Sequence, residues 1–169
     1  MKLTIISGRS GSGKSTVLHV LEDRGYYCID NLPASLLSSL ASRISSDATG
    51  IPNVAVSIDA RNISADLDKF PSIINELKNK SLPTEIVFLD ANSQTLLKRF
   101  SESRRKHPLS SEAIGLKEAI DKESELLEAI SIMASLSIDT SNMSLHQLRD
   151  TVKNHLLDDQ QTTLALLFQ

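Results

Sequence analysis

Eight consecutive residues, Gly8, Arg9, Ser10, Gly11, Ser12, Gly13, Lys14 and Ser15, follow the spacing G-x-x-x-x-G-K-[ST] without a departure. Glycines at these positions let the backbone curl so that successive N–H groups point inward at a phosphate, and a helix N-terminus adds partial positive charge at the same spot. Lys14 then serves the β- and γ-phosphates of a nucleotide such as ATP. The Ser15 hydroxyl is a hard oxygen ligand for Mg²⁺. The plain alternative is a chance glycine-serine loop before a helix. Position argues against it, since the run follows a short apolar strand and opens a helical pattern.

Two further apolar runs end in a carboxylate, residues 54–59 at Asp59 and 86–90 at Asp90. In open α/β sheets ligands bind beyond the carboxyl ends of the strands, so both are candidates to work with the metal. Asp90 leads through Ala91 and Asn92 into a helix whose first turn welcomes acids and capping side chains. Asp59 is followed by Ala60, Arg61 and Asn62, a carboxylate and a guanidinium together, which suits metal and phosphate better than capping. The reading favours Asp59, with a structural salt bridge as its alternative.

Positive charge gathers in one stretch, residues 98–107, which holds Lys98, Arg99, Arg104, Arg105, Lys106 and His107 and stops at Pro108. It is the one stretch that could supply a local basic patch for RNA or DNA. A solvated basic helix end that favours its own dipole is the alternative.

These residues must be held by a sheet. Short β-branched runs at residues 3–7, 26–30, 54–59, 85–90 and 136–140 alternate with helical periods at 14–24, 34–46, 64–79, 93–105, 115–133 and 144–157. That alternation predicts one doubly wound α/β domain over residues 1–157, a five-stranded parallel sheet with helices on both faces, of the P-loop NTPase kind. Pro71 should interrupt the third helix, Ser93 should cap the fourth, and the fifth should be long and acidic. Leu36, Leu37, Leu40 and Ile44 are expected inward on the second, and Leu145, Leu148, Val152 and Leu156 on the last. Serines at 35, 38, 39, 42, 45 and 46 read as a solvated helix face rather than a phosphorylation cluster.

Composition narrows the function classes. The 169 residues are 40% hydrophobic and 23% charged, ordinary for a globular chain and unlike a disordered or collagenous one. A formal charge of −3 argues against broad electrostatic wrapping of nucleic acid. Cys28 is the only cysteine, so no intramolecular disulfide or Cys-based zinc site forms, and the four histidines lack metal-ligand spacing. No run reaches the ~18 apolar residues of a membrane span, and the opening segment is too short for a signal peptide, so a cytoplasmic protein is expected. An apolar run at 162–169 follows the polar break at 158–161. Left in water it would be costly, so 158–169 is set apart as a tail that must find a partner surface.

The sequence of phosphate loop, strand-end Asp then Arg, basic lid and an Ile-Asp-Thr-Ser fifth strand resembles the nucleoside monophosphate kinase group, a resemblance that implies a lid whose arginines, here Arg104 and Arg105, neutralise charge developing in phosphoryl transfer. It departs from that group behind the lid. There the kinases add arginines, whereas 115–133 offers only Lys117 and Lys122 among Glu118, Asp121, Glu123, Glu125 and Glu128. A closer resemblance is to the N-terminal domain of the RapZ/YvcJ family of bacterial nucleotide-binding proteins. It is carried by residues 7–15, 21–33 (LEDRGYYCIDNLP), 59–62 (DARN), 104–110 (RRKHPLS) and 119–124 (AIDKES), which span nearly the whole chain. The resemblance implies binding and slow hydrolysis of ATP and GTP with Mg²⁺, the first motif serving ATP and Asp59, Ala60, Arg61 and Asn62 serving GTP. It also implies a regulatory role in which RNA and a ribonuclease are engaged through a C-terminal domain outside this chain, of which the tail at 158–169 would be the start. Self-association is left open. The competing reading is a small-molecule kinase with its acceptor near Asp30, Asn31, Leu32 and Pro33.

Overall fold

The computed structural model describes residues 2–46, 53–61, 64–103 and 105–157. Arg104, Asn62 and the tail at 158–169 therefore lie outside the described residues. Five strands, β1 (Leu3–Gly8), β2 (Tyr27–Ile29), β3 (Val54–Ile58), β4 (Thr84–Asp90) and β5 (Leu136–Asp139), form one parallel sheet in the order β2-β3-β1-β4-β5. Register is set by Leu3 opposite both Val54 and Thr84, which brings the ends of β1, β3 and β4 level where the phosphate loop begins.

The expected doubly wound sheet is therefore present. β1 is buried along its whole length because helices cover both faces of the sheet. Alternation along the strands divides the core. Leu3, Ile5, Val56, Ile58 and Phe88 pack with Leu37 and Ile44 of α2 (Leu37–Ser46), Phe70, Ile74 and Leu77 of α4 (Phe70–Asn79), and Ile130 of α7 (Glu128–Met133). Ile6, Ala55, Val87 and Leu89 face Val17, Leu18 and Leu21 of α1 (Lys14–Asp23) and Leu148 and Val152 of α8 (Leu145–Val152). Each such side chain, fully buried, contributes about 1.5–3 kcal/mol. Outside these layers, Leu96 and Phe100 of α5 (Ser93–Ser103) meet Ile120 of α6 (Leu116–Leu126) beside the phosphate loop.

Several local expectations are corrected. The third helical period is two helices, α3 (Ser64–Asp68) and α4, with Pro71 in the first turn of α4, where its missing N–H costs nothing. The cap of α5 is Asn92 rather than Ser93, because the Thr95 N–H donates to Asn92 Oδ1 at 2.8 Å. The long acidic helix breaks at Leu127, which caps α6 and precedes α7. The break re-aims the chain so that Leu127 and Ile130 enter the sheet-side core while Ile120 stays with Phe100. Leu36 is exposed because the chain makes a 3-10 turn at Ala34–Leu36 before α2 begins, and Leu145 is exposed at the first position of α8. Ser144 closes a full capping box with Gln147, and a π turn at Lys153–Leu157 follows α8.

Candidate functional site

Gly8 ends β1 pressed against β4, where a Cβ would stand 2.2 Å from the Leu89 carbonyl oxygen. Only glycine lets the loop leave the sheet so closely. Gly13, at φ 114°, is in a conformation L side chains rarely adopt, and a Cβ there would meet Leu148 Cδ2 at 2.5 Å. Between them the loop turns back, with the Ser12 N–H donating to the Arg9 carbonyl at 3.0 Å, and α1 starts at Lys14.

The loop is fastened from outside. Arg9 points away from the phosphate side: its Nε donates to Asp90 Oδ1 at 2.9 Å and its Nη2 to the Ala91 carbonyl. Arg99 of α5 donates to the Gly11 carbonyl at 2.8 Å and to Thr140 Oγ1 at 3.1 Å. Thr140 in turn donates to the Ser12 carbonyl at 2.7 Å. Lys14 Nζ donates to the carbonyls of Gly8 and Arg9 at 2.8 and 3.2 Å. Burial pulls the Lys14 ammonium below its ordinary value, with the Glu123 and Asp59 carboxylates opposing that shift.

A cleft of about 280 Å³ opens over the loop, lined by Ser10, Gly11, Lys14, Ser15, Asp30, Asp59, Arg61, Phe100, Arg105, Lys106 and Pro108. It collects Lys14, Ser15, Asp59, Arg61 and Arg105 from the sequence reading. A larger cavity, about 540 Å³, is lined by Arg9, Asp90, Asn92, Ser93 and Asp139. It holds neither Lys14 nor Ser15, so its size does not make it the chemical centre.

The two aspartates part company. Asp90 faces Arg9 and accepts from the Ala91 N–H at 2.8 Å, which makes it an anchor of the loop and of the entry to α5. Asp59 is buried, and both its oxygens accept from Arg61. Burial alone would push Asp59 up, but the Arg61 hydrogen bonds and charge, with Lys14, outweigh it and hold the carboxyl below its ordinary value. The salt bridge weighed as the alternative for Asp59 thus exists, and it lies on the cleft wall.

As site residues Glu123 and His107 escaped the sequence reading, and Asp30, named there only beside an acceptor, was not counted among the strand-end carboxylates. Asp30 ends β2 just as Asp59 ends β3, and the Ser57 hydroxyl donates to its Oδ1 at 2.5 Å. The same strand-end signal could have found it. Glu123, fully buried on α6, accepts from both the N–H and the hydroxyl of Ser10 at 2.7 and 2.6 Å. His107, also buried, places its Nε2 3.2 Å from Glu123 Oε1. Burial would raise the Glu123 carboxyl, but the hydrogen bonds from His107 and Ser10 and the charge of Lys14 prevail and lower it. Burial pushes the Cys28 thiol up to about 11, so it is no nucleophile at neutral pH.

The donor set fits Mg²⁺. Among the described residues no three His, Cys, Asp or Glu side chains cluster as a metal cage. A hydroxyl at Ser15 with one or two nearby carboxylates is what Mg²⁺ asks of a protein when phosphates supply its other ligands. Among the described residues, no helix is long and apolar enough to cross a membrane.

Comparison with known proteins agrees with this geometry. Solved structures of like fold include a gluconokinase from Sinorhizobium meliloti, TM-score 0.61 and 19% identity over 99% of this chain and 97% of that one. A shikimate kinase from Acinetobacter baumannii gives TM-score 0.58 and 14% identity, covering 94% of each chain. At such identity they show the fold, that of P-loop kinases and NTPases. A nucleotide-binding protein of Hahella chejuensis is 58% identical over all of this chain and 59% of its own length. One from Pseudomonas aeruginosa strain LESB58 is 51% identical with the same coverage. The chain thus spans about three fifths of the length of these relatives. A family profile described as the RapZ-like N-terminal domain matches residues 1–160, and the chain belongs to that family of nucleotide-binding domains.

Proposed function

We propose that this chain binds ATP and GTP with Mg²⁺, hydrolyses them slowly, and serves as the nucleotide-responsive part of a cytoplasmic regulatory protein. The observation that carries the reading is the convergence of Lys14, Ser15, Asp59, Arg61 and Arg105 on one cleft over the phosphate loop. Lys14 would take the β- and γ-phosphates, Ser15 and Asp59 the metal directly or through water, and Arg105, with Arg104, the charge of the transition state. Mg²⁺ would supply charge neutralisation at the phosphates. The segment Asp59, Ala60, Arg61 and Asn62 is assigned to GTP on the family resemblance. RNA and ribonuclease contacts belong to the regions that the longer relatives have beyond this match, and residues 158–169 would lead into them.

Calorimetric titration with ATP and with GTP, each with Mg²⁺, tests the reading. Lys14→Ala should lose about a hundredfold or more in affinity while keeping its thermal transition, because a charge-assisted phosphate contact disappears. Unchanged affinity would overturn it. The second reading, a small-molecule kinase, is favoured by Asp30 on the cleft wall, where an acceptor hydroxyl could be held. It predicts a phosphorylated product in a metabolite screen, whereas the first predicts inorganic phosphate with no acceptor.

A further inference from the structure

Glu123 is surrounded by donors. Its Oε1 accepts from the Ser10 N–H at 2.7 Å and its Oε2 from the Ser10 hydroxyl at 2.6 Å. The third partner is His107. The Leu109 N–H donates to His107 Nδ1 at 3.0 Å, so Nδ1 is an acceptor and the ring donates to Glu123 through Nε2. An ionised carboxylate accepts only, and the shift of Glu123 toward the charged form agrees with three donors aimed at it. The single proton of the Ser10 hydroxyl is therefore committed to Glu123. What Ser10 Oγ can offer the cleft is its lone pairs.

A lone pair repels a phosphate oxygen and accepts from a water. The Lys14 ammonium rests on the Gly8 and Arg9 carbonyls, two and one residues before Ser10, and lines the same cleft as Ser10, so a terminal phosphate held by Lys14 abuts Ser10. Glu123 itself is fully buried and does not line the cleft, and Asp59 is the carboxylate read above as serving the metal. We propose that Ser10 orients the water that attacks the terminal phosphate, and that Glu123 is the positioning residue that fixes the Ser10 hydroxyl for this task. The inference rests on the reading of the cleft as a nucleotide-hydrolysing site.

In the step, the water oxygen bonds to the terminal phosphorus. The bond from that phosphorus to the bridging oxygen breaks, and its electron pair stays on the nucleoside diphosphate. One water proton passes to Ser10 Oγ as the Ser10 proton passes to Glu123 Oε2. Inorganic phosphate leaves, and the Glu123 proton returns to solvent through Ser10. Because the transition state is loose, the water becomes a strong acid only once bonded to phosphorus, so a carboxylate that favours its charged form can still take the proton late.

The test uses the 169-residue chain and its variants Ser10→Ala, Ser10→Thr, Glu123→Gln and Ser10→Ala with Glu123→Gln. Phosphate release from ATP with Mg²⁺ is followed in single turnovers, and affinity for a non-hydrolysable ATP analogue is measured by calorimetry. Ser10→Ala and Glu123→Gln should each slow release about tenfold or more, with affinity changed less than about threefold. Ser10→Thr, which keeps the hydroxyl, should retain most of the rate. The combined variant should be no slower than the slower single one, since both remove one relay. Affinity falling in step with rate would make Glu123 a mere brace of the loop and overturn the proposal, as would variants as fast as wild type. Should Glu123→Gln not fold, Ser10→Ala and Ser10→Thr decide it alone. A wild-type chain that binds the analogue but releases no phosphate would overturn the hydrolysis reading and this inference with it. A wild type that hydrolyses normally beside unaffected variants would overturn this inference only.

Discussion

Two Arg–Asp pairs flank the phosphate loop, and opposite members of them are buried. In Arg9 with Asp90 the guanidinium is 9% exposed and the carboxylate 51%. In Arg61 with Asp59 the guanidinium is 49% exposed and the carboxylate 6%. Arg9 bridges 81 residues of sequence and holds a second acceptor, the Ala91 carbonyl, so it cannot leave without stranding a buried charge. Arg61 reaches back two residues to Asp59 from the surface of the cleft, and its fork can turn to a phosphate where Mg²⁺ takes its place beside Asp59. The same two residue types thus make a fastener on one side of the loop and an exchangeable contact on the other.

The comparison breaks if the fastener proves dispensable. Arg9→Met should lower stability by about 2 kcal/mol in a urea titration, the cost of a charged hydrogen bond lost to a buried network. Arg61→Ala should cost less than Arg9→Met, because the buried Asp59 carboxylate keeps the N–H of residue 61 and the charge of Lys14, and should weaken nucleotide binding instead. Equal destabilisation by the two would show that burial of the cation does not distinguish them.

The metal sharpens the contrast. Once Arg61 turns to phosphate, an oxygen of Asp59 becomes available to a Mg²⁺ water, whereas Asp90 stays with Arg9. Asp59→Asn should therefore raise the Mg²⁺ concentration needed for half-maximal hydrolysis about tenfold, and Asp90→Asn should leave it nearly unchanged. The reverse order would place the metal beside β4. A smaller effect is expected at the lid, where Arg105→Ala, alone or with Arg104→Ala, should slow hydrolysis about fivefold with little change in affinity. Parallel loss of binding would make these arginines ground-state phosphate ligands.

The phosphate loop and Asp59 were legible in the sequence because their chemistry is contiguous: eight residues, or a strand end and the residue two beyond it. Glu123 was not, because its partner Ser10 lies 113 residues away. The acidic run containing it looked only like a departure from the nucleoside monophosphate kinase group, since the count of charges was visible and not their burial. The segments 104–110 and 119–124 that carried the family resemblance contain both His107 and Glu123, so the signal was present without its geometry. The break at Leu127 was also hidden, because no glycine or proline marks it and tertiary packing alone decides it. Leu36 failed for a smaller reason, a one-turn shift in where α2 begins.

A third carboxylate, on the inner side of the loop, extends the comparison to pH. Glu123 has no exposed partner to release: both it and His107 are buried, and Ser10 and Lys14 face it from the loop. Its carboxyl is held below its ordinary value of 4.5, so the folded state binds its proton less readily than the unfolded state. The stability it contributes is then fully present above pH 4.5 and is lost as pH falls through the depressed folded value. Asp59 is lowered as well, but from an ordinary value of 3.8, so its contribution begins to fall only below that pH. Urea midpoints measured between pH 6 and pH 3 should accordingly fall on acidification less steeply in Glu123→Gln, which carries no titrating group there, than in the wild type. Parallel curves would mean that Glu123 titrates alike folded and unfolded, and that its donors do not favour the charged form.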